Sequence, residues 1–261
     1  MTLHRCSDRD SGVTWYRFAQ PDSGFRHALI TRLGGVSSSP YSSLNLGGTV
    51  GDDAKDVREN HRRAFAALDI SETQVISPHQ VHGAKVAEVG VRDAGKVIPD
   101  TDALITREQG VALLLRFADC VPVLFYDPVH RVAGLAHAGW RGVAAGVAPI
   151  TVQAMMRRYG ARPEDVWAGV GPSIGQHHYR VGVEVVDAVC ATLPAEASVA
   201  LKKDGSWYLD LPGAVFAQLR AVGVRQVELS DICTACRTDE WYSHRAESGT
   251  TGRFGVLAML I

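Results

Sequence analysis

Three apolar runs, residues 111–115 (VALLL), 121–126 (VPVLFY) and 254–261 (FGVLAMLI), constrain the fold most tightly. Each has the length of a buried strand. The last lacks polar–apolar alternation, so both of its faces must meet apolar partners. Residues 131–135 form another such run, and 75–76, 85–89, 103–106, 166–170 and 227–229 are shorter strand candidates. Helical patterns fall between them. Residues 54–68 place Val57, His61, Ala64, Phe65 and Leu68 on one face behind an Asp52-Asp53 N-cap. Residues 143–159, 183–193 and 212–222 are further helices, the last with Pro212 in its first turn and Gly223 past its end. Strands and helices interleave without a strict βαβ rhythm. That favours a mixed sheet with helices outside over a purely parallel doubly wound fold.

The length of 261 residues is enough for a sizeable core. No linker or internal repeat divides the chain, so one domain over residues 1–261 is expected. A formal charge of −1 leaves no basic surplus for a nucleic-acid partner. No apolar run approaches a membrane span, and the first ten residues lack the apolar segment of a signal peptide. Five cysteines are odd in number and sparse, as expected of reduced thiols in a cytoplasmic protein. Residues 34–51 are rich in Gly and Ser but carry Tyr41, Leu44 and Leu46 as anchors, which marks an ordered functional loop.

The densest chemistry lies in Ala136-His137-Ala138-Gly139-Trp140-Arg141-Gly142, at a strand-to-helix junction where glycines admit a ligand. Cys120 breaks an apolar stretch beside Asp119, and an ionisable group there is costly without a partner. His82 sits in the turn Gln80-Val81-His82-Gly83. His82, Cys120 and His137 suit two chemistries. One is an open zinc site with three protein ligands, where the metal lowers the pKa of its water to about 7. The other is a metal-free Cys–His nucleophile pair acting on a carbonyl. Spacing alone does not choose between them. Cys233-Thr234-Ala235-Cys236 is read as two cysteines in a loop, for want of a second CxxC. His177 and His178 are read as structural or rim residues, because neighbours on an extended chain point apart. Cys6 and Cys190 have no polar company. Arg32, Arg141, Arg245 and Arg253 lie near Gly, Ser or Thr and could together form an anion pocket. Gly169–Gly175 lacks the Gly-Lys-Ser/Thr ending of an ATP-binding loop.

From about Ile30 onward the chain resembles the laccase-domain, or YfiH-type, proteins, once called multicopper polyphenol oxidases and now usually named purine nucleoside phosphorylases. The resemblance rests on Thr31-Arg32-Leu33-Gly34-Gly35-Val36-Ser37, Ser43-Leu44-Asn45-Leu46, Gly51-Asp52-Asp53 with Asn60, and Gln80-Val81-His82-Gly83. It continues through Asp100-Thr101-Asp102-Ala103, Ala118-Asp119-Cys120-Val121-Pro122-Val123, the segment from His137 to Gly142, Gly171-Pro172-Ser173-Ile174-Gly175 and Thr251-Gly252-Arg253. It implies an α+β fold of mixed sheets sandwiched between helices, layered α/β/β/α and akin to the cytotoxic-factor toxins. It implies metal ligation by His82, Cys120 and His137, and a zinc-dependent enzyme taking a small purine nucleoside and phosphate to base and ribose 1-phosphate. Adenosine, inosine, guanosine and methylthioadenosine are the implied substrates, with adenosine deamination as a further activity. Asp119 is then the candidate proton carrier. Arg32 and Arg141 are candidates for phosphate, Trp140 for the base face, and Asn45 and Gln80 for other substrate contacts.

The sequence departs from the family pattern at Phe117, where Thr is usual, at Arg180, where Glu is usual, and at His244, where Tyr is usual. Three alternatives stand beside this reading. The first is a Cys–His amidase or hydrolase built on Cys120 and His137 and acting on a cell-wall precursor. Copper-dependent polyphenol oxidation is the older family label, although ten scattered histidines make a poor multicopper set. The third is a zinc-binding protein without catalysis.

Overall fold

Alternation along the apolar runs sorts the chain into layers. The computed structural model describes residues 3–19 and 24–261. Met1 and Thr2, part of the segment read above for a signal peptide, lie outside the described residues. In chain order the strands are β1 (Leu3–Ser7), β2 (Thr14–Phe18), β3 (Phe25–Ile30), β4 (Val75–Pro78), β5 (Val86–Glu88), β6 (Val97–Ile98), β7 (Ala103–Thr106) and β8 (Ala112–Phe117). They continue with β9 (Val121–Asp127), β10 (Val132–Ala138), β11 (Trp167–Val170), β12 (Arg180–Val181), β13 (Ala200–Lys203), β14 (Ser206–Leu209), β15 (Gln226–Leu229) and β16 (Phe254–Leu260). The helices are α1 (Ala54–Ala67), α2 (Trp140–Ala144), α3 (Val147–Tyr159), α4 (Val183–Cys190) and α5 (Leu211–Ala221).

One sheet runs β1-β2-β3-β16-β8-β4-β6 and a second runs β15-β11-β9-β10-β7-β5; β12, β14 and β13 form a small third. Both large sheets mix parallel and antiparallel pairs. Successive side chains of a strand point to opposite faces. In β10, Ala133 and Leu135 therefore join Leu113 and Leu115 of β8 and Val256 and Ala258 of β16 in a core between the sheets. Val132, Ala136 and Ala138 of β10 face the other way, onto Val143, Val147, Val152, Val189 and Val215 of the helices α2 to α5. On the far side, Leu114 and Leu257 pack against Ala64 and Phe65 of α1. The layers are thus α/β/β/α, an α+β fold as expected, and β16 is buried along its whole length.

Local chemistry sets the boundaries. The Asp53 carboxylate accepts the Lys55 N–H at the start of α1, and Asp210 caps α5 by accepting from Gly213. The helix expected over residues 143–159 is two helices. Gly146 has φ +76°, a left-handed conformation that breaks the α-helical path and starts α3 afresh. The strand expected to stop before Arg116 runs on through Phe117, because the Arg116 Nε donates to the Leu46 carbonyl at 2.6 Å and so has a partner inside. His137 lies inside β10, opposite Pro122 of β9.

Candidate metal centre and cleft

Three connections meet at one end of the sandwich: the turn after β4, the link from β8 to β9, and the end of β10. They deliver His82, Cys120 and His137, and one ligand atom from each lies within 4.8 Å of the other two. Asp102, fully buried just before β7, organises the group. Its Oδ2 accepts the N–H groups of Val81 at 3.2 Å and Gly83 at 2.7 Å. Its Oδ1 accepts the His82 N–H at 2.9 Å and pairs with His137 Nδ1 at 2.9 Å. A proton on Nδ1 leaves Nε2 as the bare nitrogen toward Cys120, the tautomer a metal needs. The turn is held under constraint: His82 has φ +61° and Asp119 φ +84°, both in the left-handed region that side chains disfavour. Gly139 is required as well, since a Cβ there would stand 3.0 Å from the Cys120 sulfur and 3.1 Å from His82 Cδ2.

The electrostatics follow from this packing. Burial pushes the Cys120 thiol up, but the charge and hydrogen bond of His137, with help from His82, outweigh it and bring the thiol down to about 6. Burial alone would lower His137; the Cys120 thiolate and the Asp102 carboxylate reverse this and raise it to about 9. Burial likewise opposes ionisation of Asp102, yet its hydrogen bonds from His137 and Gly83 hold it below the usual carboxylate range. Two imidazoles and a thiolate at this spacing could hold a metal, and three protein donors is the number that leaves a catalytic zinc open to substrate.

The trio lines a cleft of about 910 Å³. Gly47, Gly48, Thr49 and Val50, from the Gly/Ser-rich loop, form part of its wall, as do His61, His79, Tyr179 and His244. Arg116, Arg245 and Arg253 also line it, and among the described residues Asp119 is its sole carboxylate. The Arg245 guanidinium lies over the Tyr179 ring, 5.2 Å from its centre, and donates to the carbonyls of His178 and Arg180. Burial pushes the Tyr179 hydroxyl up to about 12, so it keeps its proton.

The other expected site residues divide between the cleft and its surroundings. Arg32 is spent on structure: it donates to the carbonyls of Ser42 and Thr238, pairs with Glu247 at 2.9 Å and lies over Tyr242. The Arg141 guanidinium lies over the Trp140 ring, 4.4 Å from its centre, and neither residue lines the cleft. Trp140 packs instead against the helix-side core. Of the four arginines singled out, Arg245 and Arg253 line the cleft, whereas Arg32, Arg141 and Trp140 do not. Asn45 is buried, accepting from Gly47 and Arg253 and donating to Asp52, so it braces the cleft wall from behind. Gln80 lines the cleft, but its amide is closed on the backbone of Arg116 at 2.9 Å in both directions. Asp119 also lines it, with one oxygen accepting the Thr234 hydroxyl and the other the Arg245 N–H, each at 2.7 Å. Both acceptors are engaged, which suits an anchor better than a proton carrier. Arg180 is exposed on β12, whereas His244 faces the cleft.

Asp102 is the residue that sequence reasoning passed over as a site member. Its signal was present: a carboxylate entering the apolar run Ala103-Leu104-Ile105 needs buried partners, the same argument applied to Asp119. Arg116 carried a similar signal between Leu115 and Phe117.

Comparison with known proteins agrees with this architecture. Residues 26–261 match the family described as multi-copper polyphenol oxidoreductase laccase. The chain belongs to that family. Among its relatives, a purine nucleoside phosphorylase named YlmD from Geobacillus stearothermophilus is 40% identical over 251 residues, covering 92% of each chain. One from Streptomyces coelicolor is 41% identical over 231 residues, covering 88% of this chain and 93% of the other. The crystal structure of YlmD from Geobacillus stearothermophilus superimposes with a TM-score of 0.93 at 37% identity, covering 98% of both chains. This member of the laccase family keeps the layered fold throughout.

Proposed function

We propose that this chain is a zinc-dependent purine nucleoside phosphorylase, folded as one domain and working in the cytoplasm. It converts adenosine, inosine, guanosine or methylthioadenosine and phosphate to the base and the sugar 1-phosphate. The observation that carries the proposal is the cleft, where a three-donor His/Cys cluster faces a wall of guanidinium groups. Relatives named purine nucleoside phosphorylase support the choice of substrate. Among the described residues, no helix is long and apolar enough to cross a membrane.

Phosphate is held by Arg245 and Arg253, whose fixed cationic forks suit its oxygens. One phosphate oxygen bonds to C1′ of the sugar as the C1′–N9 bond breaks, and the electron pair leaves with the purine. Positive charge developing on the sugar is offset by the bound phosphate. Tyr179, protonated at neutral pH, gives the base an aromatic face and a hydrogen-bond donor. Asp119 holds Arg245 in place through its backbone. Asp102 keeps His137 in the tautomer that presents Nε2. Zinc held by His82, Cys120 and His137 would supply Lewis-acid polarisation and an activated water, the latter suited to deaminating adenosine at C6. Two imidazoles and one thiolate are a donor set that zinc would take in a three-ligand, open site.

A second reading is favoured by one observation: Cys120, His137 and Asp102 also form a nucleophile–base–orienter chain. One experiment separates the two. Purified protein is given inosine with and without phosphate, and an acyl-amide panel after metal removal. Base release that requires phosphate and metal supports the phosphorylase; amide cleavage by the metal-free protein supports the hydrolase.

A further inference from the structure

We propose that His177, His178, Cys233 and Cys236 form a second, structural zinc site, separate from the cleft's His/Cys cluster. One ligand atom from each of the four lies within 4.8 Å of the rest, although the two pairs stand more than fifty residues apart in the chain. Neither pair stands out in the sequence; the fold brings them together. His177 and His178 do not lie on an extended strand but in a 3-10 turn, Gln176–His178, which brings both rings to one place, with centres 4.6 Å apart. The loop carrying the cysteines makes one tight turn, with the Arg237 N–H donating to the Cys233 carbonyl at 3.1 Å. That sets the two sulfurs on the same side.

Three features point to a metal rather than chance proximity. His177 Nε2 stands 3.1 Å from the Cys236 sulfur. The Gly175 N–H donates to the Cys233 sulfur at 3.2 Å, the kind of support that steadies a metal-bound thiolate. A Cβ at Gly175 would meet His177 Cε1 at 2.7 Å and the Cys233 sulfur at 3.2 Å, so the cradle closes only around glycine. The donor set is two nitrogens and two sulfurs with no carboxylate, which selects zinc over magnesium or calcium. Four protein donors complete a tetrahedron, so the site is closed and structural where the cleft trio is open.

The site has a use. It ties the segment 173–178 to the loop 231–237, already stitched by Thr234 N–H to the Ser173 carbonyl at 3.0 Å. Thr234, between the two cysteines, donates its hydroxyl to Asp119, next to Cys120. Ile174 and Tyr179, on either side of the histidines, line the cleft. Zinc here would therefore fix one cleft wall.

The test is metal analysis of the full-length purified protein by mass spectrometry, with intact mass measured without reductant. Wild type is expected to carry two zinc ions per chain. Cys233→Ser/Cys236→Ser is expected to carry one, held in the cleft, and Cys120→Ala one, held at the second site. Should the double variant fail to fold, cobalt loading of Cys120→Ala gives the answer: a thiolate-to-cobalt charge-transfer band then reports Cys233 and Cys236, since neither Cys6 nor Cys190 belongs to a group that could hold a metal among the described residues. Equal zinc in wild type and the double variant, no such band, or a metal-free mass two hydrogens short, showing a Cys233–Cys236 disulfide, would each overturn the proposal.

Discussion

Asp102→Asn tests how far one buried carboxylate holds the centre together. The two oxygens of Asp102 divide four donors: Oδ1 takes His82 N–H and His137 Nδ1, and Oδ2 takes Val81 N–H and Gly83 N–H. An asparagine has one oxygen and one NH2. Whichever way it turns, two donors face a donor. If the NH2 replaces Oδ2, the turn carrying His82 loses two of its three ties; if it replaces Oδ1, His137 loses the partner that fixes its tautomer. Each buried donor left without an acceptor costs about 1–3 kcal/mol, so the pair costs about 2–6 kcal/mol before relaxation. That is a large share of a net stability of about 5–15 kcal/mol. Losing an orienting carboxylate behind a ligating histidine also weakens metal binding by about 10–100-fold. Urea unfolding of the metal-free proteins and a zinc competition titration measure the two effects separately. Stability within about 0.5 kcal/mol of wild type, the range of ordinary surface changes, together with unchanged zinc affinity, would refute the reasoning.

Cys120→Ala and His137→Ala should each lose the cleft metal and the activity while keeping the native circular dichroism spectrum, checked alongside metal content. Arg245→Ala should raise KM for phosphate about 10–100-fold, the worth of a charged hydrogen bond, whereas Arg141→Ala should leave it unchanged; initial rates at varied phosphate decide. Arg32→Ala should instead destabilise the fold by about 1–3 kcal/mol, because the part-buried Glu247 loses a charged hydrogen bond, with little change in phosphate KM, as read by denaturant melts and kinetics. His27 is buried with its Nε2 accepting the Phe18 N–H, and burial lowers its pKa from 6.5 to about 4. The unfolded chain therefore binds a proton between pH 6.5 and 4 that the native one refuses, so stability is full above 6.5 and falls toward 4 by about 3 kcal/mol. His27→Gln should flatten that part of the stability–pH curve.

Where an element is apolar on both faces, its sequence already says so. Residues 103–106 were read as a strand and are β7; the runs at 121–126 and 254–261 are β9 and β16 to within a residue. The half-exposed β1 and β2 and the short β12 to β14 carry little periodic signal, and in the buried β3 Arg26 and His27 interrupt the apolar run. The break at Gly146 was hidden inside a continuous helical pattern. In the site, Cys120 and His137 stand out because polar residues interrupt apolar runs there, whereas His82 sits in a polar turn and is carried by the family resemblance. The roles of the arginines do not stand out, since a guanidinium beside glycines reads the same whether it lines the cleft, as Arg245 and Arg253 do, or packs away from it between Glu247 and Tyr242, as Arg32 does. Partners distant in the chain decide that, and only the fold supplies them.

The central claim is that a metal held by His82, Cys120 and His137 serves phosphate-dependent cleavage of purine nucleosides. The most direct measurement follows inosine turnover by chromatography in native, chelated and zinc-restored protein, with and without phosphate. The account predicts hypoxanthine and ribose 1-phosphate in equal amounts, only with phosphate present, lost on chelation, regained with zinc, and absent in Cys120→Ala under every condition. Hypoxanthine release without phosphate, or undiminished turnover by protein shown to be free of metal, would contradict it.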